Sequence, residues 1–255
     1  MPLWYSDTIF YFIRQDLGLY YTLIMSQITT IRAFGDNYVY LWHDESGHAV
    51  GVDPGQADPV IEVVTELGLQ LTAILLTHHH HDHIGGVATL KQQYRCQVIG
   101  PDAHRIATQD RQIVDGDELI LLDTPVHVLA TPGHTRTSVC YHVLPTQGPG
   151  WVFTGDTLFV GGCGRLFEGD AETLWDSLQR LMALPDDTVV YCGHDYTDDN
   201  RAFALSVAPE DGRLQKAARM ACSHTTMGQE RQTNIFLRAP DARTFAELRA
   251  LKDRF

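Results

Sequence analysis

From Ile28 onward, short runs of β-branched and aromatic residues alternate with Gly, Asp, Asn and Pro, the texture of strands joined by tight turns. Residues 28–34 and 38–42 read as strands, with Gly35-Asp36-Asn37 as the turn between them. Residues 48–52 form another, ending at Asp53-Pro54-Gly55. Apolar spacing over 59–67 predicts a helix stopped by Gly68. Residues 71–76 are apolar except for Thr72, as in a short strand covered on both faces. A helix is predicted over 84–94, a strand over 96–100 and two strands within 118–130, with turns at 115–117 and 123–125. Strands at 138–144 and 151–154 flank the Pro/Gly-rich loop 145–150. A helix over 173–184 precedes the last clear strand, 188–192. Beyond Asn200 the pattern turns helical, at 201–207, 214–221 and 244–251, with no strong strand. Many strands with a few helices between them predict two packed sheets covered by helices. No repeat suggests a solenoid.

The 255 residues suit one large domain, or a main domain with a smaller one attached. A formal charge of −13 without a lysine-rich patch argues against nucleic acid as a partner. The five cysteines, an odd number with no C-x-x-C pair, suggest a reduced, cytoplasmic protein. Residues 17–25 are mostly apolar but too short to span a membrane, and the start lacks a signal peptide's basic residues. Residues 1–25 read as an extension before a domain beginning near Met25; an extra strand or docking arm is the alternative.

The chemistry concentrates in Thr77-His78-His79-His80-His81-Asp82-His83, directly after an apolar stretch. His78 and His80, two apart in a loop, can reach one metal ion; Asp82 and His83, opening a helix, can reach a second. His134 lies in a stiff Pro-Gly turn whose glycine permits close approach. Asp156 and His194 each follow an apolar run, so ligands at strand ends can converge on one sheet edge. Seven residues then serve two divalent ions: His78, His80 and His134 for the first, Asp82, His83 and His194 for the second, with Asp156 shared. Two ions so close can hold a hydroxide between them at neutral pH. Imidazole and carboxylate favour zinc, with iron and manganese also accepted.

Less eventful readings carry weight too. A histidine string can be an affinity tag, but this one is internal and follows a strand. His43, His48, His104, His127, His142 and His224 read as structural or surface residues. His79 and His81 alternate with the proposed ligands and read as supporting or packing residues, unless the parity is reversed. Asp53 reads as a turn former or as an acceptor that orients a histidine.

THHHHDHIGG at 77–86, TPGHT at 131–135, GDTLFVGGCGRLFEG at 155–169 and YCGHDYT at 191–197 resemble the metallo-β-lactamase superfamily. Within it they resemble the hydroxyacylglutathione hydrolases (glyoxalase II), as do ERQTNIFLR at 230–238 and LKDRF at 251–255. The first motif is specific to the superfamily; GDTLF…GCGRLFEG and CGHDYT together are far more specific. The resemblance implies an α+β fold, a four-layered αββα sandwich over 26–194 with a small helical domain over 195–255. It implies hydrolysis of S-D-lactoylglutathione to glutathione and D-lactate, the second step of methylglyoxal detoxification. Its metal ligands fall on the seven positions named above. Its glutathione contacts fall on Arg165, Phe167, Tyr196 and Arg238, with Arg243 or Lys252 as a further basic contact. Eukaryotic members more often carry lysine and tyrosine at positions 165 and 167, so Phe167 forgoes one hydrogen bond.

The expected chemistry follows. A thioester carbonyl is attacked by the bridging hydroxide, with Asp82 and Asp156 as the carboxylates at the reacting centre, and the oxyanion is stabilised by metal charge. A thiol leaving group, with a pKa of about 8.5, needs little help from an acid. Arg165 and Arg238 would meet the two glutathione carboxylates. The expected partner is therefore the substrate alone, in a monomer or small homo-oligomer, with no membrane and no nucleic acid. Rival readings are a persulfide dioxygenase with a single iron, a tRNA-processing nuclease, which would need a basic exosite, a lactonase or β-lactamase, and a non-catalytic scaffold, which would lack ligands.

Overall fold

The computed structural model describes residues 4–8, 26–219 and 225–255. The first half supplies β1 (Trp4–Thr8), β2 (Gln27–Ala33), β3 (Asn37–His43), β4 (His48–Val52), α1 (Asp58–Glu66), β5 (Gln70–Leu75), α2 (His81–Ile84), α3 (Val87–Tyr94), β6 (Gln97–Gly100) and β7 (Arg111–Gln112). Its seven strands pair in chain order, antiparallel from β1 to β4 and parallel from β4 to β7.

The second half supplies β8 (Glu118–Leu121), β9 (Thr124–Ala130), β10 (Val139–Val143), β11 (Trp151–Gly155), the hairpin β12 (Leu158–Phe159) and β13 (Gly162–Cys163), and α4 (Ala171–Met182). There follow β14 (Val189–Cys192), α5 (Thr197–Val207), α6 (Gly212–Ala217), β15 (Thr225–Thr226), α7 (Met227–Thr233) and α8 (Ala242–Lys252). Its main sheet runs β15-β14-β11-β10-β9-β8.

The alternation of strand residues builds the layers. Tyr38, Tyr40 and Trp42 of β3 face an inter-sheet core with Tyr141, Trp151 and Phe153, while Val39 and Leu41 face the other way. Trp42 and Trp151 meet edge to face, ring centres 5.6 Å apart. The outward face of the first sheet packs on Val60, Val63 and Val64 of α1 and Val87 and Leu90 of α3. Cys140, Val152 and Val190 of the second sheet pack on Leu174, Leu178 and Leu181 of α4 and on Phe203, Phe236 and Phe245. The layers are helix, sheet, sheet, helix, with further helices at the C-terminal end.

The two-residue strands β7, β12 and β13 fall outside the predicted elements, and the structure departs from them elsewhere too. The helix predicted over 84–94 is two: α2 ends at Ile84, and α3 starts after Gly86. A Cβ on Gly86 would lie 2.6 Å from Ala57 N and Pro54 O, so only glycine lets the chain pass here. The C-terminal part has a strand after all, the two-residue β15, and an unpredicted helix, α7. The helix expected to 221 is described as α6 only to Ala217, and the rest of that stretch from 220 lies outside the described residues. The extension expected over 1–25 is outside them too, apart from Trp4–Thr8, which pairs with β2 as the alternative reading had it. No helix among the described residues is long and apolar enough to cross a membrane.

Candidate metal centre

The seven predicted residues meet at one edge of the sandwich. His78 and His80 follow β5, and Asp82 and His83 lie in α2. His134 sits between β9 and β10, Asp156 follows β11, and His194 follows β14. The two sheets are joined here: Tyr38 N–H donates to the Gly193 carbonyl at 2.8 Å, and Asn37 forms an isolated bridge with His194. Gly193 must be glycine, because a Cβ there would stand 2.5 Å from Asp156 Oδ1 and 2.8 Å from His83 Cε1.

Two of the three groups of donor atoms among the described residues, each within 4.8 Å, are the predicted ones: His78 with His80 and His134, and Asp82 with His83 and His194. In the first, His80 Nδ1 lies 3.1 Å from His134 Nε2. In the second, His83 Nε2 lies 3.3 Å from His194 Nε2, and Asp82 Oδ2 is 3.4 and 3.3 Å from those two nitrogens. Asp156 reaches both groups: Oδ1 is 3.3 Å from His83 Nε2, and Oδ2 is 3.3 Å from His134 Nε2 and 3.4 Å from His194 Nε2. His79 and His81 enter neither group.

Four of the five imidazoles are tied at the far nitrogen, which fixes the ring and leaves the near one for the centre. His78 Nδ1 contacts Thr77 Oγ1 at 3.0 Å, and His134 Nδ1 contacts the Arg165 carbonyl at 2.9 Å. His83 Nδ1 lies 3.1 Å from Asp53 Oδ2, and His194 Nδ1 lies 3.3 Å from Asp36 Oδ1. Asp53 also groups with His78 and His83, but its oxygens are engaged by the Thr77 N–H at 2.8 Å and hydroxyl at 2.6 Å. It is therefore an acceptor that orients His83, as the sequence reading had it. Asn37 does the same for Asp82, donating from Nδ2 to Oδ2 at 2.9 Å.

The donor set fits metal ions. His78 Nε2 and Asp156 Oδ1 are buried with no hydrogen-bond partner. Each such orphan costs about 1–3 kcal/mol unless something supplies positive charge. Burial strongly lowers the pKa of His78 and also lowers those of His80 and His134, so these rings are neutral, as ligands must be. Burial opposes ionisation of Asp156 too, but His83 and then His194 hold its carboxyl well below the usual range. Asp82 is likewise held low against its burial, by hydrogen bonds from His194, His83 and Asn37. Burial would lower His83, but Asp156 and Asp53 raise it; His194 is raised to about 9 against its burial, chiefly by Asp156 and Asp82. Two carboxylates, buried Asp156 and half-buried Asp82, thus demand cationic charge here, from protons if not from metal.

A cysteine nucleophile is excluded for the buried thiols beside the centre. Burial pushes Cys140 and Cys192 up to about 12 and Cys163 to about 11, so they stay protonated.

The predicted substrate contacts divide. Phe167 is 62% exposed and sets its ring edge-on to His80 and His134, with centres 5.4 and 5.2 Å apart. Tyr196 stacks on His194 at 4.8 Å, and burial lifts its hydroxyl to about 12, so it remains a donor. Arg165 lies on the same loop as Phe167, its Nε 3.4 Å from Asp253. Arg238 is not drawn to the cluster: its Nη2 donates to Asp211 at 2.6 Å. Sequence reading missed Asp36 and Asn37, which look like turn residues, and Arg249. That buried arginine on α8 donates from Nη1 to the Cys163 carbonyl at 2.9 Å. Periodicity alone marks it as a surface position near a helix end.

The layers and the paired His/Asp groups define a metal-dependent hydrolase of the metallo-β-lactamase superfamily. The model of that superfamily matches residues 32–194, and the model described as the hydroxyacylglutathione hydrolase C-terminus matches 195–255. Hydroxyacylglutathione hydrolase of Aliivibrio salmonicida is 44% identical over 257 residues, 91% of this chain and 100% of that one. The Rhizobium meliloti enzyme of the same name is 44% identical over 246 residues, 86% of this chain and 95% of its own. The crystal structure of ETHE1 from Myxococcus xanthus superposes with a TM-score of 0.67 at 34% identity, over 84% of this chain and 85% of that one. The chain belongs to the hydroxyacylglutathione hydrolase family.

Proposed function

We propose that this protein hydrolyses S-D-lactoylglutathione to glutathione and D-lactate at a pair of divalent ions. His78, His80 and His134 would hold one ion, Asp82, His83 and His194 the other, and Asp156 both. The position of Asp156 carries this reading: a buried carboxylate within 3.4 Å of nitrogens from both groups, with one oxygen otherwise unpartnered. Bound there, the ions supply Lewis acidity and a water made acidic enough to act at neutral pH.

The chain's own residues do the rest. Ionised Asp82, steadied by Asn37, accepts a hydrogen bond from the attacking water and fixes its direction. The departing thiolate, with a pKa of about 8.5, needs no strong acid, which suits a site whose imidazoles are all committed. Phe167 gives the substrate an apolar wall and Tyr196 a hydroxyl donor. Arg165 meets a substrate carboxylate by a charge-assisted hydrogen bond. Arg238 would do so by exchanging Asp211 for substrate. Residues 26–194 form the catalytic domain in this reading, 195–255 complete the substrate site, and 1–25 precede both. The protein works in the cytoplasm without nucleic acid, as a monomer or small homo-oligomer.

The test is metal analysis with turnover of S-D-lactoylglutathione. The expected outcome is two ions per chain, with Asp156→Ala losing metal and rate together. A single ion with oxygen uptake would favour the mononuclear dioxygenase instead. Full rate and two ions in Asp156→Ala would defeat the shared-carboxylate assignment.

A further inference from the structure

Beside the metal centre, one guanidinium joins four separate segments. Arg105, in the loop after β6, donates from Nε to Asp102 Oδ2 at 2.6 Å, from Nη1 to His79 Nε2 at 3.1 Å, and from Nη2 to Thr137 Oγ1 at 3.2 Å. Its Nη1 also bonds Glu168 Oε1. The other Glu168 oxygen accepts from the Arg136 backbone N–H at 2.9 Å. Asp102 Oδ2 further accepts from the Thr137 hydroxyl at 3.1 Å. Glu168 directly follows Phe167 on the loop that also carries Arg165. That loop is pinned to the His134 turn by two backbone bonds, Phe167 N–H to the His134 carbonyl and Gly169 N–H to the Gly133 carbonyl, at 3.3 and 3.1 Å.

We propose that Arg105 is a positioning residue for substrate recognition: through Glu168 it clamps loop 164–169 against the histidine run and the His134 turn, holding Phe167 and Arg165 where a glutathione thioester meets them. The proposal rests on the function proposed above. Its physical basis is the rigid fork of the guanidinium, which serves four acceptors at fixed angles. A lysine at 105 carries the charge on one nitrogen and cannot span the four. The clamp acts first on the substrate loop, which is tied to a ligand side chain through the Arg165 carbonyl, facing His134 Nδ1 at 2.9 Å. Arg105 touches only His79 of the histidine run, which stands outside both ligand groups. Loosening it therefore weakens binding ahead of chemistry.

The test combines kinetics, metal content and amide exchange on the metal-loaded enzyme. In Arg105→Ala, KM for S-D-lactoylglutathione is expected to rise about tenfold, the loss of one charge-assisted contact set. In the same variant kcat stays within about threefold and both ions are retained, since Arg105 bonds none of the seven ligands and the backbone bonds of the loop to the His134 turn remain. The Phe167 and Gly169 amides exchange about tenfold faster than in the parent. Arg105→Lys restores neither KM nor protection. Glu168→Gln, which keeps shape and the Arg136 bond, falls between parent and Arg105→Ala and covers the case in which Arg105→Ala does not fold. Joining Arg105→Ala to Glu168→Ala adds nothing beyond the worse single change, because the two act as one unit. Unchanged KM and exchange in Arg105→Ala, loss of metal with protection intact, or additive effects in the double variant would each overturn the clamp. If the parent leaves S-D-lactoylglutathione intact, the proposed function fails, and the amide exchange alone decides the clamp.

Discussion

Asp53 illustrates how much one side chain decides at this centre. It takes a positive φ of 50° at the end of β4, a conformation tolerated by Asp because its short side chain bonds locally. From there it accepts from Thr77 twice and faces His83 Nδ1, so one carboxylate fixes both the start of the histidine run and the ring at its end. Asparagine has almost the same shape but turns one acceptor into a donor, aimed at an N–H or O–H that also donates. Asp53→Asn is expected to weaken metal binding about 10- to 100-fold, as for other outer-shell partners of ligating histidines. Competition against a chelator of known affinity measures this directly; an unchanged affinity would mean that Asp53 only shapes the turn. The residues that converge on this centre were legible in sequence because four stand in one heptapeptide and three follow apolar runs. Asp36, Asn37 and Arg105 were not, because their roles come from partners that only the folded chain supplies.

Among the elements, those with an apolar run or a helical apolar stripe were readable, and those too short or too polar to have either were not. Strands β3, β10 and β11 send alternate residues to two different cores, so each reads in the chain as a mostly apolar run. The hairpin β12–β13 and strand β15 have two residues per strand, too few for any period. Helix α7, Met-Gly-Gln-Glu-Arg-Gln-Thr, is polar throughout except for its first residue and so has no apolar face to read. Its signal lies at its start. Thr226 accepts from the Gln229 N–H at 3.3 Å while Gln229 Oε1 accepts from the Thr226 N–H at 3.2 Å, a reciprocal capping box. For so short a helix the cap is a large share of local stability. Thr226→Ala is expected to cost about 1 kcal/mol, seen as a lower urea midpoint with an unchanged slope. A midpoint equal to the parent's would assign the helix's stability to buried Met227 and Glu230 instead.

At the scale of the molecule, the question is whether the helical end is an appendage or part of one cooperative body. Its apolar residues Phe203, Phe236 and Phe245 share a core with Val152 and Val190 of the second sheet and Leu174 of α4. Arg249 extends the junction into polar territory. Its side chain is 7% exposed, and it donates to the Cys163 carbonyl and, from Nη2, to Asp253 at 3.0 Å. Asp253 in turn lies 3.4 Å from Arg165, so α8 is linked to both ends of the Cys163–Arg165 stretch. A shared core implies one unfolding transition. The slowest amides of β3 and α5, such as those of Leu41 and Phe203, should then report the same opening free energy. Arg249→Met keeps the bulk but strands the Cys163 carbonyl, at a cost of about 2 kcal/mol for a lost charged hydrogen bond. In one cooperative body that loss lowers protection equally at Leu41 and Phe203. If Phe203 alone loses protection, the helical end opens by itself, and any grip it has on substrate is set by that local equilibrium and not by the fold as a whole.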